Sequence, residues 1–280
     1  MFTINPFSEL SELIPAYVQQ GYVIAMAILV IGGTVIDTLH KKSAKWFFKN
    51  SEDAQKNATR KIESSEKLVI AAQTGMSEVL TSSEFSSKRR RLSHLFSMYG
   101  FVLFVATTAI MIFFFPGANA ATPVIWPVLW HLGALMLAFG GYWFWFFIRV
   151  DVAAEGRTWY HLVKADMFIL SLLAMVTFGL IWSYMQAMNV AVWEHLFLGL
   201  FIFASTILFG GVLWSKFAHM FFKPAAAYQK RITKADGSAE NLPTITRDDP
   251  EQQKRHSMEL LQDAPMDMGL GIKRERPNHY

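Results

Sequence analysis

The sequence predicts an all-α membrane protein: a five-transmembrane-helix bundle with its N-terminus outside and its C-terminus in the cytoplasm. Three observations carry this. Of 280 residues, 52% are hydrophobic and only 17% charged, against roughly 25% charged in an ordinary soluble domain; mean hydropathy is +0.26. Five apolar runs reach the about 20 residues that a helix needs to cross a hydrocarbon core of about 30 Å. The 26 Lys and Arg fall in three places only: twelve in 41–91, then Arg149, Arg157 and Lys164, then eleven from Lys216 onward. Residues 1–40, 92–148 and 165–215 hold none, so the positive-inside rule sets the orientation.

Taken in order, residues 1–20 form an external N-terminal segment whose Phe, Leu and Ile suit the outer bilayer surface. The first span occupies 21–40. It lacks a basic leader and an A-x-A-like cleavage site, and Lys41-Lys42 stop it, so it reads as a retained helix and not a signal peptide. Residues 41–93 are a cytoplasmic helical loop. There Glu63, Glu66 and Lys67 pair at helical spacing, and Leu68, Val69, Ile70, Met76, Val79 and Leu80 supply an apolar face. That face suits either the bilayer surface or a soluble partner. Lys88-Arg89-Arg90-Arg91 anchors the entry of the second span beside anionic headgroups.

A four-helix membrane domain follows over 94–223. The second span runs about 95–115 and stops at Pro116-Gly117; the third runs about 124–150, with Pro127 in its first turn; the fourth runs about 159–185; the fifth runs about 190–222. The tail 224–280 is polar, mixed in charge and broken by Pro243, Pro250, Pro265 and Pro277, which predicts disorder or folding on a partner. Cysteine is absent, which excludes disulfides, thiolate zinc sites, iron–sulfur clusters and cysteine nucleophiles. No Gly-rich phosphate loop or Ser-His-Asp arrangement is present, and the basic runs read as membrane anchors and not as a nucleic-acid surface.

Six of the eight histidines lie in or beside the spans, where metal-capable side chains are functional candidates. His131 and His195 lie about 8–10 Å below the outer helix ends, at about 1.5 Å per residue. His94, His161 and His219 share a depth at the inner end, and His40 beside two lysines reads as interfacial. Two imidazoles at one depth on different helices, with no cysteine, suit bis-imidazole ligation of a b-type haem. His161 in Trp-Tyr-His fits an aromatic belt equally well. Trp143, Phe144, Trp145 and Phe146 read as packing and interface residues.

The fifth span ends Trp214-Ser215-Lys216-Phe217-Ala218-His219-Met220, and the second opens His94-Leu95-Phe96-Ser97-Met98-Tyr99-Gly100. Over roughly 91–223 this resembles the nitrate reductase gamma-like family of membrane cytochromes b. That family includes the membrane subunits of heterodisulfide reductase and of the quinone-interacting Qmo complex. The resemblance points most to the Qmo subunit and its shorter relative AprM, the proposed anchor of adenylylsulfate reductase; the lack of cysteine favours the shorter form, which has no iron–sulfur domain. It implies that His94 and His219 are the axial ligands of an inner haem b. His131 and His195 match the family's outer pair less well, because the family's outer histidine of the last helix falls here near Phe201. It further implies electron transfer between a cytoplasmic flavin and iron–sulfur oxidoreductase, with adenylylsulfate reductase the best match, and the quinone pool of the cytoplasmic (inner) membrane. Tyr99 or Tyr142 would hydrogen-bond a quinone carbonyl.

Two competing functions stay open at this level. A haem-free tether for the same soluble enzyme has the same topology. A transporter is opposed by the absence of inverted halves and of a charged cluster inside the membrane.

Overall fold

The computed structural model describes residues 1–40, 43–83, 85, 87–149, 158–213 and 219–238. The described residues are helical and form no strand. Five helices are long and apolar enough to cross a membrane, the property of a multi-pass membrane protein. The chain divides into two units: 1–43 with 87–221, and 44–86 with 222–280.

The first unit is the membrane bundle. Helix α1 (Pro6–Leu10) is a single turn. Helix α2 (Ala16–His40) starts directly after Pro15, five residues earlier than the apolar run suggests. Two helices of the second unit come next, α3 (Ser43–Lys56) and α4 (Ser64–Thr74), the latter prolonged by a π-turn over Gly75–Leu80. Helix α5 (Lys88–Phe114) ends where Pro116 removes a backbone donor and Gly117 takes a φ of 90°. Helix α6 (Ile125–Trp143) tolerates Pro127 in its first turn and widens into a π-turn over Phe144–Ile148. Helix α7 (Met167–Ala187) and helix α8 (Ala191–Gly210) are joined by a tight reversal. Asn189, at a φ of 54°, supplies the left-handed residue that ends α7. Helix α5 packs on α6, α6 on α7, and α7 on α8, while α2 packs on α8 and the turn Gly211–Leu213.

The fourth span begins later than the apolar run at Trp159. Residues 158–163 stay outside the helix because the Asp166 carboxylate accepts the Val163 backbone N–H at 2.9 Å and fixes a 3₁₀ turn over Lys164–Asp166. The same carboxylate pairs with Arg149 from the end of α6. His161 therefore sits exposed before α7.

Helices α5 and α6 meet backbone to backbone. A Cβ on Gly100 would lie 2.4 Å from the Leu137 nitrogen, one on Gly133 2.7 Å from the Phe104 nitrogen, and one on Gly140 2.7 Å from the Ser93 carbonyl oxygen. Ser93 donates from Oγ to the Gly140 carbonyl at 2.8 Å. Without water between helices, such close approach supplies dispersion and hydrogen bonding where the hydrophobic effect supplies nothing.

The N-terminal segment is a correction to the surface-lying expectation. Residues 5–8 and Leu10 are buried in the end of the bundle. Asn5 caps α1 by accepting from the Phe7 and Ser8 N–H groups, and its amide donates to Thr122 Oγ1 at 3.0 Å. Ser8 Oγ donates to the Gly117 carbonyl at 2.9 Å, and Gln186 donates to the Pro6 carbonyl at 3.1 Å. Phe7 presents an edge to Trp130 and to Trp182, at 5.9 and 5.5 Å between centroids. The segment holds three polar anchors to the bundle that the bilayer could not satisfy, so it folds inward.

The second unit packs α3, α4 and helix α9 (His219–Ala235), whose residues from 222 belong to it. Ile62, Ile70 and Ile232 form its small core, with Tyr228 and Ala235 against them. The Thr59 and Arg60 N–H groups donate to the Asp236 carbonyl, and the Arg231 guanidinium holds Glu78 at 2.8 Å and Ser77 Oγ at 2.5 Å. Residues 224–238, the start of the tail expected to be mostly disordered, are thus folded: Ile232 supplies the apolar anchor and Arg231 the charge. Residues 239–280 lie outside the described residues. Glu66 pairs with Arg60, because the turn before α4 brings that guanidinium onto it. Of the predicted apolar face, Ile70 is buried, and Leu68, Val69, Met76 and Leu80 are exposed; the Val79 side chain lies outside the described residues.

Candidate functional site

The candidate site residues fall at both ends of the bundle. At the end that holds the N-terminal segment, His131 is fully buried in the second turn of α6. Its Nδ1 donates to the Pro127 carbonyl at 2.7 Å, one helical turn back, since a carbonyl only accepts. With that proton on Nδ1, Nε2 accepts from the Ser183 hydroxyl of α7 at 2.9 Å. Phe2 and Trp130 stand edge-on to the ring at 4.9 and 4.8 Å. The imidazole is thereby fixed in tautomer and orientation by protein groups alone.

Around it lies an aromatic stack. Phe104 tilts against Trp130 at 4.8 Å, and Trp182 stacks on Phe201 at 5.7 Å. The Trp130 indole donates to Thr108 Oγ1 at 2.8 Å. The Trp182 Nε1–H is buried and has no hydrogen-bond partner, a cost of about 1–3 kcal/mol that the packing offsets.

His195 is in a different environment. It is exposed on the first turns of α8, and its Nδ1 bonds back to the Ala191 carbonyl. The outer pair expected from depth therefore comprises one enclosed imidazole and one exposed imidazole. A metal ion on His131 would have to displace the Ser183 hydroxyl from Nε2.

At the opposite end, His94 is half-buried in the second turn of α5. His219 opens α9, and its imidazole lies outside the described residues. His161 contributes its backbone carbonyl, not its ring, to the local structure: it accepts from Arg149 Nη2 at 2.7 Å. Arg149 also bonds Asp166 through Nε at 2.8 Å and lies 4.3 Å over the Trp145 ring. Both partners of this ion pair are about nine-tenths buried, and Arg149 Nη1 is buried without a partner. Tyr142 spends its hydroxyl on Thr177 of α7 at 2.7 Å, and Tyr99 is exposed along α5. Among the described residues no three His, Asp or Glu side chains converge as a metal-binding group.

No protein-family model, curated protein or solved structure matches the chain. The site has to be read from its own chemistry.

Sequence reasoning did not find the N-terminal plug, the Arg149–Asp166 pair or the glycine seam. The first had a signal, since Asn5-Pro6 is an N-cap followed by proline at the first helical position. Near the plug, Glu9 is held above the ordinary carboxylate range, first by loss of water around it and then by the Glu194 and Glu12 carboxylates. A raised folded-state value means the folded protein holds this proton more tightly than the unfolded chain. Stability is then highest in acid and declines as pH rises through the folded value. Because Glu9 remains partly in water, the effect stays below about 1 kcal/mol. Glu9→Gln is expected to flatten the acidic limb of a melting-temperature profile in detergent; an unchanged slope would show that the repulsion is absent.

Proposed function

We propose that the chain is a membrane anchor and b-type cytochrome-like subunit that passes electrons between a cytoplasmic oxidoreductase, with adenylylsulfate reductase the best match, and the quinone pool. The observation that carries this reading lies in the sequence: His94 falls in the first turns of the second span, and the Ser-Lys-Phe-Ala-His stretch ending at His219 follows the last. The donor set fits a haem b of the bis-imidazole kind: imidazoles on separate helices and no thiol anywhere in the chain. His94 and His219 would hold it, and haem bound there supplies one-electron transfer. The chain's own part is to hold the two imidazoles on different helices, exclude water with apolar spans, and present a surface to the soluble enzyme. The exposed Leu68 and Val69 on α4, and Met76 on the π-turn that prolongs it, are suited to that contact. Quinone would approach from the bilayer near Tyr99 or Tyr142.

A haem-free tether for the same enzyme is the second reading, and the His131 environment favours it at the outer position, where both ring nitrogens already have protein partners. A pyridine haemochrome assay on the purified protein separates the two. The cytochrome reading expects one b-type signal that His219→Ala and His94→Ala each abolish while membrane insertion persists, and that His131→Ala leaves in place. No α-band in the parent leaves the tether alone.

A further inference from the structure

Helix α3 carries two large aromatic side chains that stay exposed on its surface. Trp46 is 54% and Phe48 63% exposed, while Phe47 and Ala54 turn toward a groove shared with Ala226, Gln229 and Thr233 of α9. Lys45 and Lys49 flank them and are exposed. Lys49 Nζ lies 5.2 Å from the Trp46 ring centroid, so charge and aromatic surface face the same surroundings.

Position along the chain says what those surroundings are. Helix α2 has 25 residues and is therefore about 37 Å long, enough to carry His40 past a hydrocarbon core of about 30 Å. Six residues on, Trp46 lies within about 20 Å of His40 even for a fully extended chain. The segment from Lys41 to Lys49 reads Lys-Lys-Ser-Ala-Lys-Trp-Phe-Phe-Lys, with four cations and no carboxylate before Glu52. Indole and phenyl rings favour the headgroup layer, and cations there are attracted by acidic lipids.

We propose that the first two turns of α3 are a docking face for an acidic phospholipid surface, with Trp46 and Phe48 immersed among the headgroups and Lys45 and Lys49 paired with lipid phosphates. The exposed face of α4 is thereby left to a soluble partner. At about 1 kcal/mol per lysine near such a surface, each lysine removed lowers the ratio of immersed to withdrawn helix about fivefold. Lys45→Gln with Lys49→Gln lowers it about thirtyfold.

The chain lacks cysteine, so Phe48→Cys in the full-length protein gives one nitroxide site in nanodiscs. Its collision rates with oxygen and with a water-soluble nickel chelate report depth. With phosphatidylcholine containing phosphatidylglycerol, the label is expected to be oxygen-accessible and shielded from nickel. That immersion is lost in phosphatidylcholine alone, at high salt, or in the double lysine variant. A control label at Gln55 should remain accessible to nickel throughout. Four results would overturn the proposal: nickel access at position 48 in both lipids, immersion that is equal in both lipids, immersion that survives loss of both lysines, or shielding from oxygen and nickel alike, which would mean a protein covers the face. Phe48→Cys replaces an exposed side chain, and a Trp46→Cys label repeats the measurement independently.

Discussion

Replacing Arg149 by methionine is expected to lower the stability of the membrane bundle by about 3–5 kcal/mol. The guanidinium and the Asp166 carboxylate are both about nine-tenths buried, and Arg149 also ties the His161 carbonyl and covers Trp145. Removing it leaves a buried carboxylate without its counter-charge at the turn that starts α7. Asp166→Leu alone should be comparably harmful, because it strands the guanidinium, whose Nη1 already lacks a partner. The double variant Arg149→Met with Asp166→Leu should recover much of the loss, since an apolar pair of similar volume often replaces a buried ion pair at little cost. Thermal or SDS unfolding in detergent reads all three. Equal loss in the double and single variants would show that shape, not charge, matters at this turn.

The second large effect is expected along the seam of α5 and α6. Gly133→Leu or Gly140→Leu places a side chain where backbone atoms lie within 3 Å of the new Cβ. No rotamer relieves a clash with backbone, so the helices must separate, which costs about 3 kcal/mol or more. Separation also breaks the Ser93 bond to the Gly140 carbonyl. Both variants should aggregate on size-exclusion chromatography. Gly199→Ala, with nothing within 4 Å of its Cβ, should elute as the parent does. A monodisperse Gly140→Leu protein would mean that the seam is looser than described.

The spans were legible because hydrophobic length is a one-dimensional property. Azimuth was not. Helices α6 and α8 are apolar on nearly every face, so no stripe distinguishes the side that meets protein from the side that meets lipid. Depth arithmetic placed His131 and His195 at one level, but rotation about the axis put one in the core and the other outside. The glycine seam was hidden for the same reason: glycine also marks turns and loose lipid-facing positions, as Gly199 does. Arg149 and Asp166 lie 17 positions apart in sequence, and nothing local in either residue announces the other. Arg60 and Glu66 pair across the turn that precedes α4, which helical spacing does not reach.

The first ten residues cannot settle until much later parts of the chain exist. Pro6 accepts from Gln186, 180 positions later, and Phe7 rests between indoles of α6 and α7. Until the seventh helix has left the ribosome, this cork has no bottle. Docking of this segment is therefore a long-range closure, slower to form than the local contacts within each helix. Any delay in delivering the later helices leaves His131 without the Phe2 ring that packs edge-on against it.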